Sequence, residues 1–172
     1  MEWLTEADLS LMSEQDYLQQ VIQHLSTHLR THPQDPRAYF LRGNAYLDQR
    51  DFYQAIADYT AALALQPDDA ITYNNRGIAY RSLGEPVRAM AEYRQALALD
   101  STYRDAYNNL GLALSDLSEF AAAIEAYNQA IALDPHYWYA YNHRGMALWA
   151  LGRREEAKQD YARVRELLHS ES

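Results

Sequence analysis

The spacing of apolar residues along the chain predicts helices that come in pairs. Across residues 71–83 an apolar or small residue returns every three or four positions, as it does on one face of an α-helix. Gly84 and Pro86 interrupt this pattern, and Pro86 suits the first turn of a new helix, where its missing N–H costs nothing. A second helical pattern then runs to Asp100. We therefore expect two antiparallel helices of about 13 residues each, joined by a tight turn.

The same pattern returns every 34 residues along most of the chain. Glycine, tyrosine and alanine follow this period at Gly43, Gly77, Gly111 and Gly145, at Tyr39, Tyr73, Tyr107 and Tyr141, at Tyr59, Tyr93, Tyr127 and Tyr161, and at Ala55, Ala89, Ala123 and Ala157. A fixed period of this length indicates an internal repeat whose unit is one supersecondary structure. The small residues allow two helices to approach closely, and we expect the tyrosines to fill the space beside them.

This pattern resembles the tetratricopeptide repeat (TPR) family, whose signature is an aromatic residue, glycine, tyrosine, alanine, a second aromatic residue, alanine and proline. One unit supplies Tyr73, Gly77, Tyr80, Ala89, Tyr93 and Ala96. Four units match, at residues 36–69, 70–103, 104–137 and 138–171. They depart from the signature at Leu114 and Leu148, which replace the mid-helix tyrosine, and at His169, which replaces the last proline. The resemblance implies an all-α fold, a right-handed superhelix of stacked helical pairs.

The two ends of the chain differ from the repeated units. Residues 1–35 fit the pattern poorly, with Leu9 at the glycine position, and we interpret them as a divergent helical pair that caps the first repeat. The residue pairs Thr5–Asp8 and Ser13–Asp16 resemble capping boxes. A regulatory or docking tail is the alternative for this segment. Residues 153–166 hold nine charged residues, so we expect the last helix to face water and to end the solenoid.

Composition removes several classes of function. The 172 residues include no cysteine, which excludes disulfides, cysteine zinc sites and a thiol nucleophile. The net charge of −9 argues against nucleic-acid binding. No apolar stretch is long enough to span a membrane and the N-terminus does not resemble a signal peptide, so we expect no membrane insertion and a soluble, cytoplasmic protein.

An arginine and an acid recur together in three of the four units. Arginine precedes the repeated glycine at Arg42, Arg76 and Arg144, and sixteen residues later stand Asp58, Glu92 and Asp160. The remaining unit has Leu110 and Ala126 at these two positions. Because the acid is lost together with the arginine, we predict the ion pairs Arg42–Asp58, Arg76–Glu92 and Arg144–Asp160 between the two helices of one unit, with a structural role.

The resemblance to TPR proteins implies that the first helices line a concave groove that receives a segment of a partner protein. The groove residues expected on this basis are Asn44, Asn74, Asn75, Ile78, Arg81, Asn108, Asn109, Leu112, Tyr139, Asn142, His143, Met146 and Trp149. Stacking would set Asn74, Asn108 and Asn142 in one row and Asn75, Asn109 and His143 in the next. Such rows can pair with the backbone of an extended peptide. The alternative is that they are only solvated polar positions.

Two features of this groove bear on the kind of partner. The carboxylate clamp with which some TPR proteins bind chaperone tails needs cations where this chain has Phe40, Asp105 and Asn109, so we do not expect a C-terminal carboxylate as ligand. Tyr139 and Trp149 fall on the groove side of the last unit. These aromatic residues either anchor an apolar residue of the partner or pack at the end of the solenoid.

Motifs for a metal or an active site are weak or missing. His24, His28 and His32 are spaced four residues apart, but they span about 12 Å of helix and no carboxylate nearby in sequence completes a site. The sequence has no His-Glu-x-x-His, Gly-x-Ser-x-Gly or Gly-x-Gly-x-x-Gly motif. We therefore expect no cofactor, no metal and no enzymatic activity.

These observations favour a protein-interaction adaptor that binds a peptide or helix of a partner protein in the groove. The leading alternative is a structural module that self-associates as a homodimer. The identity of the partner does not follow from the sequence, because one scaffold serves many unrelated functions. On the groove hypothesis, replacing Asn75 and Asn109 by alanine is expected to weaken partner binding and to leave thermal stability nearly unchanged.

Overall fold

The computed structural model describes residues 13–170. Their regular structure is entirely helical, with α1 (Glu14–Thr31), α2 (Pro36–Asp48), α3 (Phe52–Leu65), α4 (Ala70–Ser82), α5 (Pro86–Leu99), α6 (Arg104–Asp116), α7 (Phe120–Leu133), α8 (Trp138–Ala150) and α9 (Arg154–Ser170). The proposed Thr5–Asp8 capping box and Leu9 lie outside the described residues. None of the described helices is long and apolar enough to cross a membrane.

The helices stack as pairs along one direction. The pairs α2–α3, α4–α5, α6–α7 and α8–α9 are closely packed, and each second helix packs on the first helix of the next pair. Helix α1 packs on α2 as α3 packs on α4. First helices of neighbouring pairs also contact each other, whereas no comparable contact joins two second helices in the described part of the chain. The stack therefore curves with α2, α4, α6 and α8 on its concave side, here called the inner face, and the predicted all-α superhelix is confirmed.

Helix starts and turns follow local sequence signals. Ser13 caps α1 by accepting a hydrogen bond from the Asp16 N–H at 3.1 Å, the same pair that resembles a capping box in the sequence. The turn inside each pair contains one residue in the left-handed region, with φ of 62° at Arg50, 76° at Gly84, 61° at Ser118 and 77° at Gly152. Glycine adopts this conformation without a steric cost, so two of the four turns use the residue that the geometry favours.

A glycine and a tyrosine meet inside every pair. A Cβ atom on Gly43 would lie 2.8 Å from Cε1 of Tyr59, and on Gly77 it would lie 2.6 Å from Cε1 of Tyr93. Tyr59 and Tyr93 are completely buried. The same contact recurs between Gly111 and Tyr127 and between Gly145 and Tyr161. The first helix therefore approaches the second closely enough for the ring of the tyrosine to pack directly on its backbone.

Three arginines join helices of neighbouring pairs. Arg42 donates to both oxygens of Asp58 at 2.7 Å, and its remaining nitrogen Nη1 donates to Ser26 Oγ on α1 at 2.9 Å. The equivalent arginines do the same. Arg76 donates to Glu92 at 2.8 Å and to Thr60 at 3.1 Å. Arg144 donates to Asp160 at 2.6 Å and to Asn128 at 2.7 Å. Each guanidinium also lies near a tyrosine ring of its own helix, 5.4 to 5.8 Å from the centroid, at Tyr39, Tyr73 and Tyr141.

The α6–α7 pair replaces this polar bridge by apolar packing. Leu110 packs against the central core, and Ala126 is buried at 6% exposure where the other pairs have an acid. Arg94 is exposed on α5, at the position that Ser26, Thr60 and Asn128 occupy elsewhere. The arginine, its carboxylate and the third hydrogen-bonding residue are thus either all present or all replaced. This is expected, because a buried carboxylate without its arginine destabilises the fold more than an apolar pair does.

We predict that Asp58→Ala lowers the free energy of unfolding by about 2–4 kcal/mol, because it leaves the Arg42 guanidinium half-buried without its carboxylate. The double variant Arg42→Leu with Asp58→Ala copies the natural Leu110–Ala126 pair and is expected to be more stable than the single variant. Urea unfolding followed by circular dichroism measures both. A double variant less stable than Asp58→Ala contradicts the interpretation of the bridge as a coupled unit.

Candidate functional site

All thirteen residues predicted to line the groove belong to the four inner helices. They are Asn44 on α2; Asn74, Asn75, Ile78 and Arg81 on α4; Asn108, Asn109 and Leu112 on α6; and Tyr139, Asn142, His143, Met146 and Trp149 on α8. Their surroundings divide the inner face into two parts. Amides bonded to one another connect successive inner helices, and large apolar side chains are exposed toward the C-terminal end.

The asparagines are hydrogen-bonded to each other across the repeats. Asn44 Oδ1 accepts from Asn75 Nδ2 at 3.1 Å, and Asn75 Oδ1 accepts from Asn74 Nδ2 at 3.2 Å. Asn74 Oδ1 in turn accepts from Asn109 Nδ2 at 2.9 Å. These four residues connect α2, α4 and α6, and we call them the amide ladder. The ladder holds neighbouring inner helices in register, because two of its three hydrogen bonds join different helices. The third, between Asn74 and Asn75, connects those two bonds on α4.

The expectation that Asn74 and Asn108 face the groove is wrong. They are only 3% and 4% exposed, because the next inner helix covers them. Their partners come from the neighbouring row on the next inner helix. Asn109 donates to Asn74, and His143 Nδ1 lies 2.8 Å from Asn108 Oδ1. Most side chains of the two rows are therefore bonded to side chains of neighbouring repeats. They are neither free to bind a peptide backbone nor simply solvated. Asn142 is half-buried, and its side chain has no hydrogen bond among the described residues.

The hydroxyls of the three buried tyrosines lie close to side chains of the inner helices. Tyr59 donates to Asn44 Oδ1 at 2.8 Å, and the Tyr127 hydroxyl lies 3.2 Å from Ser115 Oγ. The Tyr93 hydroxyl is buried and has no hydrogen-bond partner within the described part of the chain. In its repeat, Ile78 stands where Asn44 stands in the first unit, and Arg81 stands where Ser115 stands in the third. Burial raises the pKa of the Tyr93 phenol.

An ion pair crosses the inner face from α4 to α6. Arg81 Nε donates to Asp116 Oδ2 at 2.6 Å, and Arg81 Nη2 donates to Asp116 Oδ1 at 3.2 Å. Both side chains remain about one third exposed, at 34% and 39%. Arg81 is thus on the inner face as predicted, but its charge is already neutralised by Asp116.

The C-terminal end of the inner face exposes large apolar side chains. Tyr139, Met146 and Trp149 on α8 are 46%, 59% and 50% exposed. Tyr139 stacks on Trp138 with ring centroids 3.7 Å apart, and the Arg154 guanidinium lies 5.3 Å from the Trp149 ring centroid. Tyr139 and Met146 are seven residues apart and therefore lie on the same side of α8.

Beside these residues a pocket of about 380 Å³ opens between α6 and α8 above α7. Arg81, Leu112, Ser115, Asp116, Phe120, Tyr127, His143, Met146, Ala147 and Ala150 line it. The sequence pattern does not identify Ser115, Phe120, Tyr127, Ala147 and Ala150 as lining residues. The small side chains at Ala147 and Ala150, four and seven residues after His143, are the signal in the sequence for open space here.

His143 has a defined tautomer in this arrangement. An amide oxygen can only accept, so Nδ1 carries the proton donated to Asn108 Oδ1, and Nε2 of the neutral ring carries a lone pair. Burial, together with the positive charge of Arg81, lowers the pKa of His143 below its usual value of 6.5. The ring is therefore neutral near pH 7 and presents an acceptor.

Two of the N-terminal histidines contact each other and a carboxylate. His28 lies 2.8 Å from Asp35 Oδ2, a carboxylate not considered in the sequence analysis, and the His32 ring stacks on His28 with centroids 4.4 Å apart. Asp35 also caps α2 by accepting from the Ala38 N–H at 3.1 Å, and the hydrogen bond from His28 lowers the pKa of Asp35. Within residues 13–170 no group of three histidine or acidic side chains is arranged to hold a metal ion.

The ladder changes the expectation for Asn75→Ala combined with Asn109→Ala. The double variant leaves the buried Asn74 side chain without partners, so we predict that the free energy of unfolding falls by about 2–4 kcal/mol. Asn142→Ala is the matched control, because Asn142 occupies the same inner face without a described hydrogen bond. Urea unfolding of the three proteins decides the point, and equal stability of the double variant and wild type contradicts the ladder.

The lowered pKa of His143 predicts a pH effect on stability. Below about pH 6.5 the unfolded chain binds a proton at this histidine more readily than the folded chain does, so acidification favours unfolding. His143→Asn retains a donor for Asn108, as Asn109 provides for Asn74, and has no group that titrates in this range. Between about pH 7.5 and about pH 5.5, wild type is expected to lose more stability in urea unfolding than the variant. An identical pH dependence contradicts this prediction.

Comparison with known proteins agrees with the repeat pattern. Three stretches of the chain match models of the tetratricopeptide repeat, at residues 40–104, 105–137 and 139–167. No curated protein sequence matches the chain significantly.

Several solved structures resemble the described fold. The crystal structure of MamA superposes with a TM-score of 0.84 at 25% identity, covering 99% of this chain and 98% of that chain. The first TPR of Spaghetti (RPAP3), bound to the HSP90 peptide SRMEEVD, gives a TM-score of 0.67 at 28% identity over 69% of this chain and 94% of that chain. YrrB, a TPR protein with an unusual peptide-binding site, gives a TM-score of 0.74 at 18% identity over 96% and 89% of the two chains, a likeness of fold alone. With its 34-residue period, its stacked helical pairs and matches over most of its length, the chain belongs to the tetratricopeptide repeat family.

Proposed function

We propose that this protein binds a segment of a partner protein on the inner face, mainly through its C-terminal half. The TPR fold is a protein-interaction scaffold, which sets the general class of function. The observation that carries the more specific proposal is the exposure of Tyr139, Met146 and Trp149 beside an open pocket on the concave side. Exposed aromatic and methionine side chains next to a pocket are typical of the residues that dominate binding energy.

The polar part of the inner face is less suited to binding a partner than the apolar end. The amide ladder satisfies most hydrogen-bonding groups of Asn44, Asn74 and Asn75 within the protein. A partner that displaced these bonds would gain little, because it would replace one set of hydrogen bonds by another. Tyr139, Met146 and Trp149 are about half exposed, so burying them against a partner supplies a net driving force for binding.

The partner class differs from the HSP90 tail bound by the first TPR of Spaghetti (RPAP3). The positions where a carboxylate clamp needs cations hold Phe40, Asp105 and Asn109, and Asp105 lies 3.0 Å from Arg104. Asp105 is paired with Arg104, and Phe40 and Asn109 carry no charge, so none of these three positions supplies a cation to bind a terminal carboxylate. We therefore propose an internal segment of the partner as ligand, held by apolar contacts.

A selection of random peptides displayed on phage tests the proposal. Peptides selected on wild type are expected to lose at least about tenfold in affinity for Met146→Glu, because the change places a charge among the exposed apolar residues. Val87→Glu on α5 is the matched control, since Val87 is 67% exposed on a second helix and away from the inner face. Both variants should unfold at the wild-type urea concentration.

Two results contradict the proposal. One is a set of selected peptides that bind Met146→Glu as tightly as wild type and bind Val87→Glu more weakly. The other is a stable dimer in sedimentation equilibrium that dissociates in Met146→Glu but not in Val87→Glu, which would assign the apolar surface to the homodimer alternative.

A further inference from the structure

The pocket between α6 and α8 has the size and walls for one large side chain. Its volume of about 380 Å³ exceeds that of any single side chain, and Leu112, Phe120, Met146 and Ala147 supply apolar surface. Met146 is 59% exposed at the edge of the pocket, and the sulfur of a methionine packs favourably against aromatic rings. These walls favour an aromatic side chain over a small or branched one.

Most polar groups of the pocket already have partners within the protein. Arg81 is bound to Asp116, and Ser115 lies 3.2 Å from the Tyr127 hydroxyl. His143 binds Asn108 through Nδ1, and its Nε2 has no hydrogen-bond partner among the described residues. The neutral ring thus presents an acceptor that a ligand can satisfy with an O–H or N–H donor.

The charges of the pocket exclude other anchors. Arg81 and Asp116 cancel each other, so the pocket has no net charge to compensate a lysine, arginine, aspartate or glutamate of a ligand. A charge buried there would lose its hydration without gaining a counter-charge, which disfavours these side chains as ligands. A neutral side chain therefore complements the pocket best, and a neutral side chain with one donor complements it better than a purely apolar one.

Resting on the proposed function, we infer that this pocket receives a tyrosine or tryptophan of the partner segment, whose ring lies between Leu112 and Met146 and whose O–H or N–H donates to His143 Nε2. Aromatic residues with a polar tip are well suited to this kind of site, because one end is buried and the other forms a directed bond. His143 would then set specificity, since the asparagine found at the equivalent positions 75 and 109 is shorter and bonds within the ladder.

The chain offers a direct reporter of this site. Its four methionines include Met146 at the edge of the pocket and Met90, which is 8% exposed in the core. Labelling the methionine methyl groups with ¹³C allows titration by NMR with N-acetyl-tyrosinamide and with N-acetyl-phenylalaninamide, which differ only in the phenolic hydroxyl. The Met90 signal reports any general effect of the probe, and Met146→Leu assigns the Met146 signal.

In wild type, N-acetyl-tyrosinamide is expected to shift the Met146 signal saturably and to bind about 3- to 10-fold more tightly than N-acetyl-phenylalaninamide. In His143→Asn, which retains a donor to Asn108, this ratio is expected to fall to about 1 while the Met90 signal stays unchanged. Tryptophan should behave as tyrosine does, so N-acetyl-tryptophanamide serves as a second probe.

Three results would overturn the inference: no shift of Met146 up to the solubility limit of the probes, equal affinities for the two amides in wild type, or a preference for tyrosine that persists in His143→Asn. Failure of this inference is separable from failure of the proposed function. Phage-selected peptides that need Met146 but carry no tyrosine or tryptophan would leave groove binding intact and refute the aromatic anchor.

Discussion

The close approach of the two helices in each pair determines how the whole chain packs. A tyrosine of the second helix packs its ring on the backbone of the first, at Gly43 and at the three glycines that follow at the repeat period. Any larger side chain at these positions would push the helices apart. The same glycine–tyrosine contact recurs in every pair, the pairs stack in one direction, and the four first helices form one continuous inner face.

The inner face is divided by how its hydrogen bonds are satisfied. In the N-terminal and central repeats, Asn44, Asn74, Asn75 and Asn109 bind each other, which fixes neighbouring helices and leaves little for a ligand. The ladder ends at Asn109 on α6; toward the C-terminus a separate bond joins Asn108 to His143, and Tyr139, Met146 and Trp149 are exposed. The inner face therefore combines the ladder, which maintains the arrangement of the helices, with an apolar end whose burial favours binding of a ligand.

Sequence alone is sufficient for the fold and only partly sufficient for the site. The 34-residue period predicts the helical pairs, and the joint loss of arginine and acid at Leu110 and Ala126 points to the Arg–carboxylate contacts that the structure has. Helical spacing places Asn74 on the inner side of α4 but does not reveal that α6 covers it, because that depends on the rotation between repeats. The pocket depends on the same rotation, which brings Phe120 of α7 under residues of α6 and α8.

Ligands that bind the apolar end of the inner face are expected to leave the ladder intact. Chemical-shift mapping of the full chain with a phage-selected peptide distinguishes this mode of binding from binding on the ladder. We expect large shifts for the Trp149 indole and the Met146 methyl, with the side-chain amides of Asn44 and Asn75 unchanged. Large shifts of those two amides without any shift at Trp149 and Met146 would show instead that the ligand binds on the ladder.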